Sequence, residues 1–124
     1  MSKAIVVDDS RAVRMILSRT LREIGFQVEE AGDGIAALDV LRKDPGGFSL
    51  ALLDWNMPHM NGLELLKTLR AETALSQIPV VMVTTETEVD HMAAALEAGA
   101  AEYVMKPFTR DILVDKLRMI GLAQ

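Results

Sequence analysis

The sequence has no cysteine. Disulfides, thiolate nucleophiles and zinc–thiolate centres are therefore excluded, and the absence fits a reducing compartment. There is no excess of positive charge either. Thirteen Lys and Arg stand against 18 Asp and Glu, a formal net charge of −5. Non-specific binding to nucleic acid needs a basic face, so no nucleic-acid partner is expected. No apolar run approaches the roughly 20 residues of a membrane-spanning helix. The short apolar run Ala4 to Val7 meets Asp8 and Asp9 at once, which is not the pattern of a secretory signal. A cytoplasmic protein with no membrane partner is expected. Linkers, repeats and low-complexity segments are also missing, so residues 1–124 read as one domain of ordinary size.

What is present is an alternation of apolar blocks and helical patterns. Ala4 to Val7 is a β-branched run bounded by acids. Ser10 can cap a helix carrying Val13, Ile16, Leu17, Leu21 and Ile24, stopped at Gly25. Phe26 to Ala31 alternates as a strand does, and Gly32-Asp33-Gly34 is a turn. Ile35, Leu38 and Leu41 mark a second helix, which ends near Asp44-Pro45-Gly46-Gly47. Phe48 to Leu53 is nearly continuous apolar sequence, as in a strand buried on both faces. Trp55 to Gly62 is a loop, Leu63 to Arg70 a helix, and Ile78 to Val83 another buried strand. Glu86 to Ala98 is a helix stopped by Gly99, Ala101 to Met105 a fifth strand, and Phe108 to Ile120 a last helix. Five strand–helix repeats predict an α/β fold of flavodoxin-like, doubly wound type. Its five-stranded parallel sheet would run in the order 2-1-3-4-5, with five helices on its two faces. The apolar stripes and the eight methionines are read as core and filler.

Ligands of open parallel sheets sit outside the carboxyl ends of the strands. The first strand ends on Asp8 and Asp9, the third on Asp54, the fourth on Thr84 and Thr85, and the fifth on Met105-Lys106-Pro107. With strands one and three adjacent, three aspartates share one crevice. They cannot all ionise there without compensation, and a divalent cation or a lysine would supply it. An all-oxygen donor set suits Mg²⁺, which keeps waters and shares its shell with phosphate. Lys106 offers positive charge to phosphate oxygens and Thr84 a hydroxyl donor. A carboxylate nucleophile, a metal site, a lysine and a hydroxyl make a phosphoryl-transfer constellation. A single aspartate after a strand is usually a turn residue or a helix cap. That plain reading does not account for three of them on one edge with a lysine.

Val6-Val7-Asp8-Asp9-Ser10, Leu53-Asp54-Trp55-Asn56-Met57-Pro58 with Gly62, Val83-Thr84, and Lys106-Pro107-Phe108 resemble the receiver domains of two-component response regulators. The resemblance spans the whole chain and is strongest to receivers of chemotaxis systems. It implies that Asp54 accepts a phosphoryl group from the phosphohistidine of a CheA-like sensor histidine kinase. It implies direct metal ligation by Asp9, Asp54 and the backbone carbonyl of Asn56, with Asp8 acting through water. Lys106 would bond the phosphoryl oxygens, next to a cis Lys106–Pro107 peptide. Thr84 would move its hydroxyl to the phosphate, and Tyr103 would turn inward into the space vacated, as the two parts of a switch. Asn56 and Glu86 would tune dephosphorylation. For Glu86 the alternative is a helix-start glutamate favoured by the helix dipole. Trp55 is either a partner contact or a lid, and His59 and His91 are read as surface residues.

The implied protein is a phosphoacceptor switch, not an enzyme in the usual sense, and a monomer. Its helix4–strand5–helix5 face would dock a target such as the flagellar motor switch, and a phosphatase is a further implied partner. A phosphorelay shuttle is the alternative within this class. An aspartate-nucleophile phosphatase would carry a second acid at position 56 and its nucleophile on the first strand. A binding module that is never phosphorylated would usually have lost an acid or the lysine.

Overall fold

The computed structural model describes residues 2–85 and 89–123. Ten elements alternate along the chain: β1 (Lys3–Val7), α1 (Arg11–Glu23), β2 (Gln27–Ala31), α2 (Gly34–Lys43), β3 (Leu50–Leu53), α3 (Gly62–Ala71), β4 (Val80–Thr84), α4 (Val89–Glu97), β5 (Glu102–Met105) and α5 (Arg110–Met119). All strand pairs are parallel, as the alternation predicts, and the order is the expected β2-β1-β3-β4-β5.

The period of two along each buried strand divides the core into two layers. Ala4, Val6, Leu50, Leu52, Val81, Val83 and Val104 face one way, with Leu17 and Leu21 of α1 and Leu113 and Leu117 of α5. Ile5, Val7, Ala51, Leu53, Val80 and Met82 face the other, with Leu38 and Leu41 of α2 and Leu65, Leu66 and Leu69 of α3. With both faces covered, β1, β3 and β4 are almost wholly apolar. The edge strand β2 (Gln-Val-Glu-Glu-Ala) is mostly exposed and departs from the clean alternation read in its sequence.

Several strands start later than their apolar runs, each for a local reason. Phe26 is buried, but its N–H closes α1 on Leu21, so the ladder begins at Gln27. Phe48 is core and lies under the Lys3 ammonium, 4.6 Å from its ring centre, outside the β3 ladder. Pro79 has no N–H to donate, and β4 starts at Val80. Helices α1, α2, α3 and α5 begin on side-chain caps: Ser10, Asp33, Asn61 and Thr109 each accept the N–H three residues on. Asn61 and Glu64 form a reciprocal capping box that fixes the entry of α3. Gly25 and Gly99 take φ near +107° and +108°, which permits the sharp stops read in the sequence.

Among the described residues, one buried side-chain atom lacks a hydrogen-bond partner, the hydroxyl of Ser18 inside α1. An unpaired buried hydroxyl costs about 1 kcal/mol or more, and alanine is the better helix former. Ser18→Ala is expected to raise stability by about 1 kcal/mol, read as a shift of the urea midpoint at unchanged slope.

Candidate functional site

Strand register brings the polar residues together. Val7 pairs with Leu53, so Asp8 and Asp54 leave the sheet side by side. The ladder continues one residue past each strand. The Asp54 N–H donates to the Val7 carbonyl (2.9 Å), Asp8 N–H to Ala31 (3.2 Å) and Lys106 N–H to Thr84 (2.9 Å). The backbone of each of the three is thus fixed by the sheet before any side-chain contact forms.

Asp8 and Asp54 are buried and Asp9 is exposed, yet carboxylate oxygens of all three lie within 4.8 Å of one another. Asp8 accepts the Ser10 N–H on Oδ1 (2.8 Å) and the Lys106 ammonium on Oδ2 (2.6 Å). The same ammonium is 3.6 Å from Asp54 Oδ2. Asp54 Oδ1 accepts the N–H of Trp55 at 2.8 Å, and the Thr84 hydroxyl also donates to this carboxylate. Burial and then the nearby Asp8 charge hold the Asp54 carboxyl above the ordinary aspartate value of 3.8. Lys106, Thr84 and the Trp55 N–H oppose this without cancelling it. A pocket in which one cation faces two buried carboxylates and a third exposed one has room for more positive charge. The donors are all hard oxygens, so the set fits Mg²⁺ and not a soft metal.

Gly62 packs directly behind Asp54. Its N–H donates to the Trp55 carbonyl at 2.9 Å. A Cβ at this position would lie 2.1 Å from the Asp54 carbonyl oxygen and 2.9 Å from the Met82 methyl. The carbonyl is backbone of the residue that bears the buried carboxylate and cannot simply swing aside. Gly62→Ala is expected to cost about 2–3 kcal/mol and to slow any reaction at Asp54. Denaturant midpoints and labelling rates of this variant check both effects.

The structure places the remaining sequence candidates as follows. Thr84 is fully buried with its hydroxyl already directed at Asp54, and Tyr103 is 5 % exposed within the core. The Lys106–Pro107 peptide is cis. Asn56 is exposed, two residues beyond Asp54. Glu86 lies outside the described residues, as does the start of the helix read from it; the described part of α4 is Val89–Glu97.

Two features escaped the sequence reading. Arg14 of α1 reaches the Asp8 carbonyl at 2.6 Å and Glu30 at 3.3 Å, and so braces the acidic pair from β2. His91 is not simply a surface residue, a correction to the sequence reading. It is half-buried, and its ring stacks on Trp55 with centroids 4.8 Å apart and planes 30° apart. The available signal was topological: α4 follows β4, β4 neighbours β3, and Trp55 follows β3. His59 is largely exposed, as read, but its Nδ1 lies 3.2 Å from Asp33 and its φ is 67°.

A parallel sheet that ends in three clustered aspartates, a lysine and a threonine defines a class of α/β proteins with an acidic, lysine-compensated site at the strand ends. The chain matches the model of the response regulator receiver domain over residues 4–118 and belongs to that family. It is 42% identical to chemotaxis protein CheY-3 of Vibrio cholerae over 119 residues, covering 95% of this chain and 90% of that protein. It is equally identical to chemotaxis protein CheY of Pseudomonas aeruginosa, with 95% and 94% covered. The solved structure of chemotaxis response regulator CheY4 of Vibrio cholerae superposes with a TM-score of 0.88 at 35% identity, covering 97% of this chain and 98% of that one. Among the described residues, no helix is long and apolar enough to cross a membrane.

Proposed function

We propose that this receiver takes a phosphoryl group on Asp54 from the phosphohistidine of a CheA-like sensor histidine kinase, and that its target lies in chemotaxis. The observation that carries the reading is the convergence of Asp8, Asp9, Asp54, Lys106 and the Thr84 hydroxyl at one end of the sheet. Names of the chemotaxis relatives support the second part.

Asp54 Oδ2, the oxygen on the side of Lys106, attacks phosphorus. The phosphorus–nitrogen bond to the donor imidazole breaks, and an aspartyl phosphate forms. Lys106 moves from Asp8 towards the transferred oxygens, a short shift given that it already lies between the two acids. The Thr84 hydroxyl, on Asp54 before transfer, donates to the new phosphate afterwards. Receiver domains hold Mg²⁺ at such an acidic site; here Asp9, Asp54 and the Asn56 carbonyl would hold it, with Asp8 through water. When bound, it neutralises phosphoryl charge and the repulsion among the acids. Thr84 and Tyr103 form the switch, and Asn56 and Glu86 set the lifetime of the phosphorylated state. The output face is α4–β5–α5, where Val89, Leu96, Met105 and Ile112 are exposed apolar side chains that a docking partner would cover. Such a partner is a component of the flagellar motor switch. A phosphatase recognises the loaded site.

The chain incubated with phosphoramidate and Mg²⁺ should gain one acid-stable, base-labile phosphate, seen by intact-mass measurement. A chain that stays unmodified, with Mg²⁺ binding verified by Trp55 fluorescence, would overturn the reading.

A further inference from the structure

Trp55 makes three contacts that point in three directions. Its N–H holds the reactive carboxylate at 2.8 Å. Its carbonyl accepts the first N–H of α3 at 2.9 Å. Its indole, only 8 % exposed, stacks on His91 of α4. The peptide that orients Asp54 is therefore attached through one side chain to the helix of the output face. The contact is between side chains from different elements, one just past the end of β3 and one in the first described turn of α4. It is separate from Thr84 and Tyr103, which lie on β4 and β5.

From this geometry we infer that His91 is a positioning residue that couples occupancy of the Asp54 site to the order of α4 through its stack on Trp55. A change at the carboxylate alters the pull on the Trp55 N–H and so the setting of the Trp55 backbone. The indole, clamped in the core, cannot absorb that change alone, and the imidazole passes it to α4. Coupling of this kind is reciprocal: whatever orders α4 also favours the loaded site. A stack of two rings changes an equilibrium by a factor of roughly 2–10. Coupling of that size is modest, but it acts on the helix that buries the fewest side chains among the described residues. Ala95 is the one buried residue of α4, against three or four in each of the other helices.

The inference rests on the phosphoacceptor reading, and its test separates the two. Hydrogen exchange of peptides covering residues 89–97 is measured with and without beryllofluoride and Mg²⁺, as a phosphoryl mimic at Asp54. In the wild type, exchange in α4 should slow when the mimic binds. His91→Ala should shrink that slowing by about two- to tenfold. His91→Phe, which keeps a ring on Trp55, should restore it. If the stack were only structural, His91→Ala would speed exchange equally in both states and leave their ratio at the wild-type value; that result overturns the inference. So does a wild type whose α4 ignores the mimic while Asp54 accepts phosphate from phosphoramidate. Failure of Asp54 to accept phosphate at all would instead remove the underlying function. Circular dichroism establishes that both variants are folded, and Phe serves as the reference should Ala weaken the helix.

Discussion

Asp54→Asn abolishes labelling by phosphoramidate and, in the absence of metal, raises the melting temperature by a few degrees at pH 7. The two effects have opposite signs for stability and activity and come from one carboxylate. An amide oxygen is not a nucleophile towards phosphorus, so labelling falls to background. Asp8 is engaged by Ser10 and Lys106, and Asp9 is exposed at the rim. The amide can still accept the Trp55 N–H, so the local backbone has no reason to rearrange. The gain in stability follows from linkage. Burial and Asp8 raise the carboxyl of Asp54 above its unfolded value of 3.8, so the folded state binds that proton more tightly than the unfolded state. Its contribution to stability is fully present below pH 3.8 and is lost as pH rises through the raised value. At neutral pH the ionised wild type bears that loss and the amide does not. The difference between the two melting curves should therefore shrink as pH falls towards 4. Mg²⁺ should reduce it as well, because the cation stabilises the wild type by mass action. A mutant that melts below the wild type at pH 7 without metal would contradict this account of the pocket.

Lys106→Met is expected to be the most damaging substitution for stability at the site. The ammonium is the only positive side chain in ion-pair contact with Asp8 and Asp54 among the described residues. Its side chain is 15 % exposed and that of Asp8 only 1 %. Methionine fills much the same volume but leaves two buried acids facing each other. Removing one partner of a buried ion pair typically costs about 3–5 kcal/mol, and the partial exposure here places the loss near 3. Asp54 would be pushed further above its ordinary value, since Lys106 is one of the groups now pulling it down. The loss should accordingly be largest at neutral pH, smaller in acid, and partly recovered by millimolar Mg²⁺. Denaturant titrations at two pH values, with and without the cation, measure all three. A penalty that Mg²⁺ leaves untouched would mean that the cation does not enter this cluster.

The parallel pairing and the gathering of polar residues at one sheet edge were legible because they depend on features a sequence displays. Buried parallel strands are continuous apolar runs, and the residue after each run must leave the sheet at the same edge. Asp8, Asp54, Thr84 and Lys106 were placed by that rule. Strand starts were less legible, because an apolar residue such as Phe26 or Phe48 can be buried without joining a ladder. The contacts of Arg14 and His91 were illegible for another reason. Each is a polar residue on a helix, and the direction in which it reaches depends on how that helix is rotated over the sheet. A pattern of apolar positions gives the buried face. It does not say that Arg14, at its margin, meets the Asp8 carbonyl, or that His91 meets an indole from a different loop.

The Lys106–Asp8 contact joins residues 98 apart in sequence. Closing so long a loop comes late for a chain that folds from its local pieces. Until the last strand docks, the first four strands can assemble with their acids uncompensated by Lys106. During synthesis, residues 1–105 emerge before Lys106 does. A nascent or half-folded chain thus presents an acidic edge without its Lys106 cation, and the cluster is complete only with completion of the sheet.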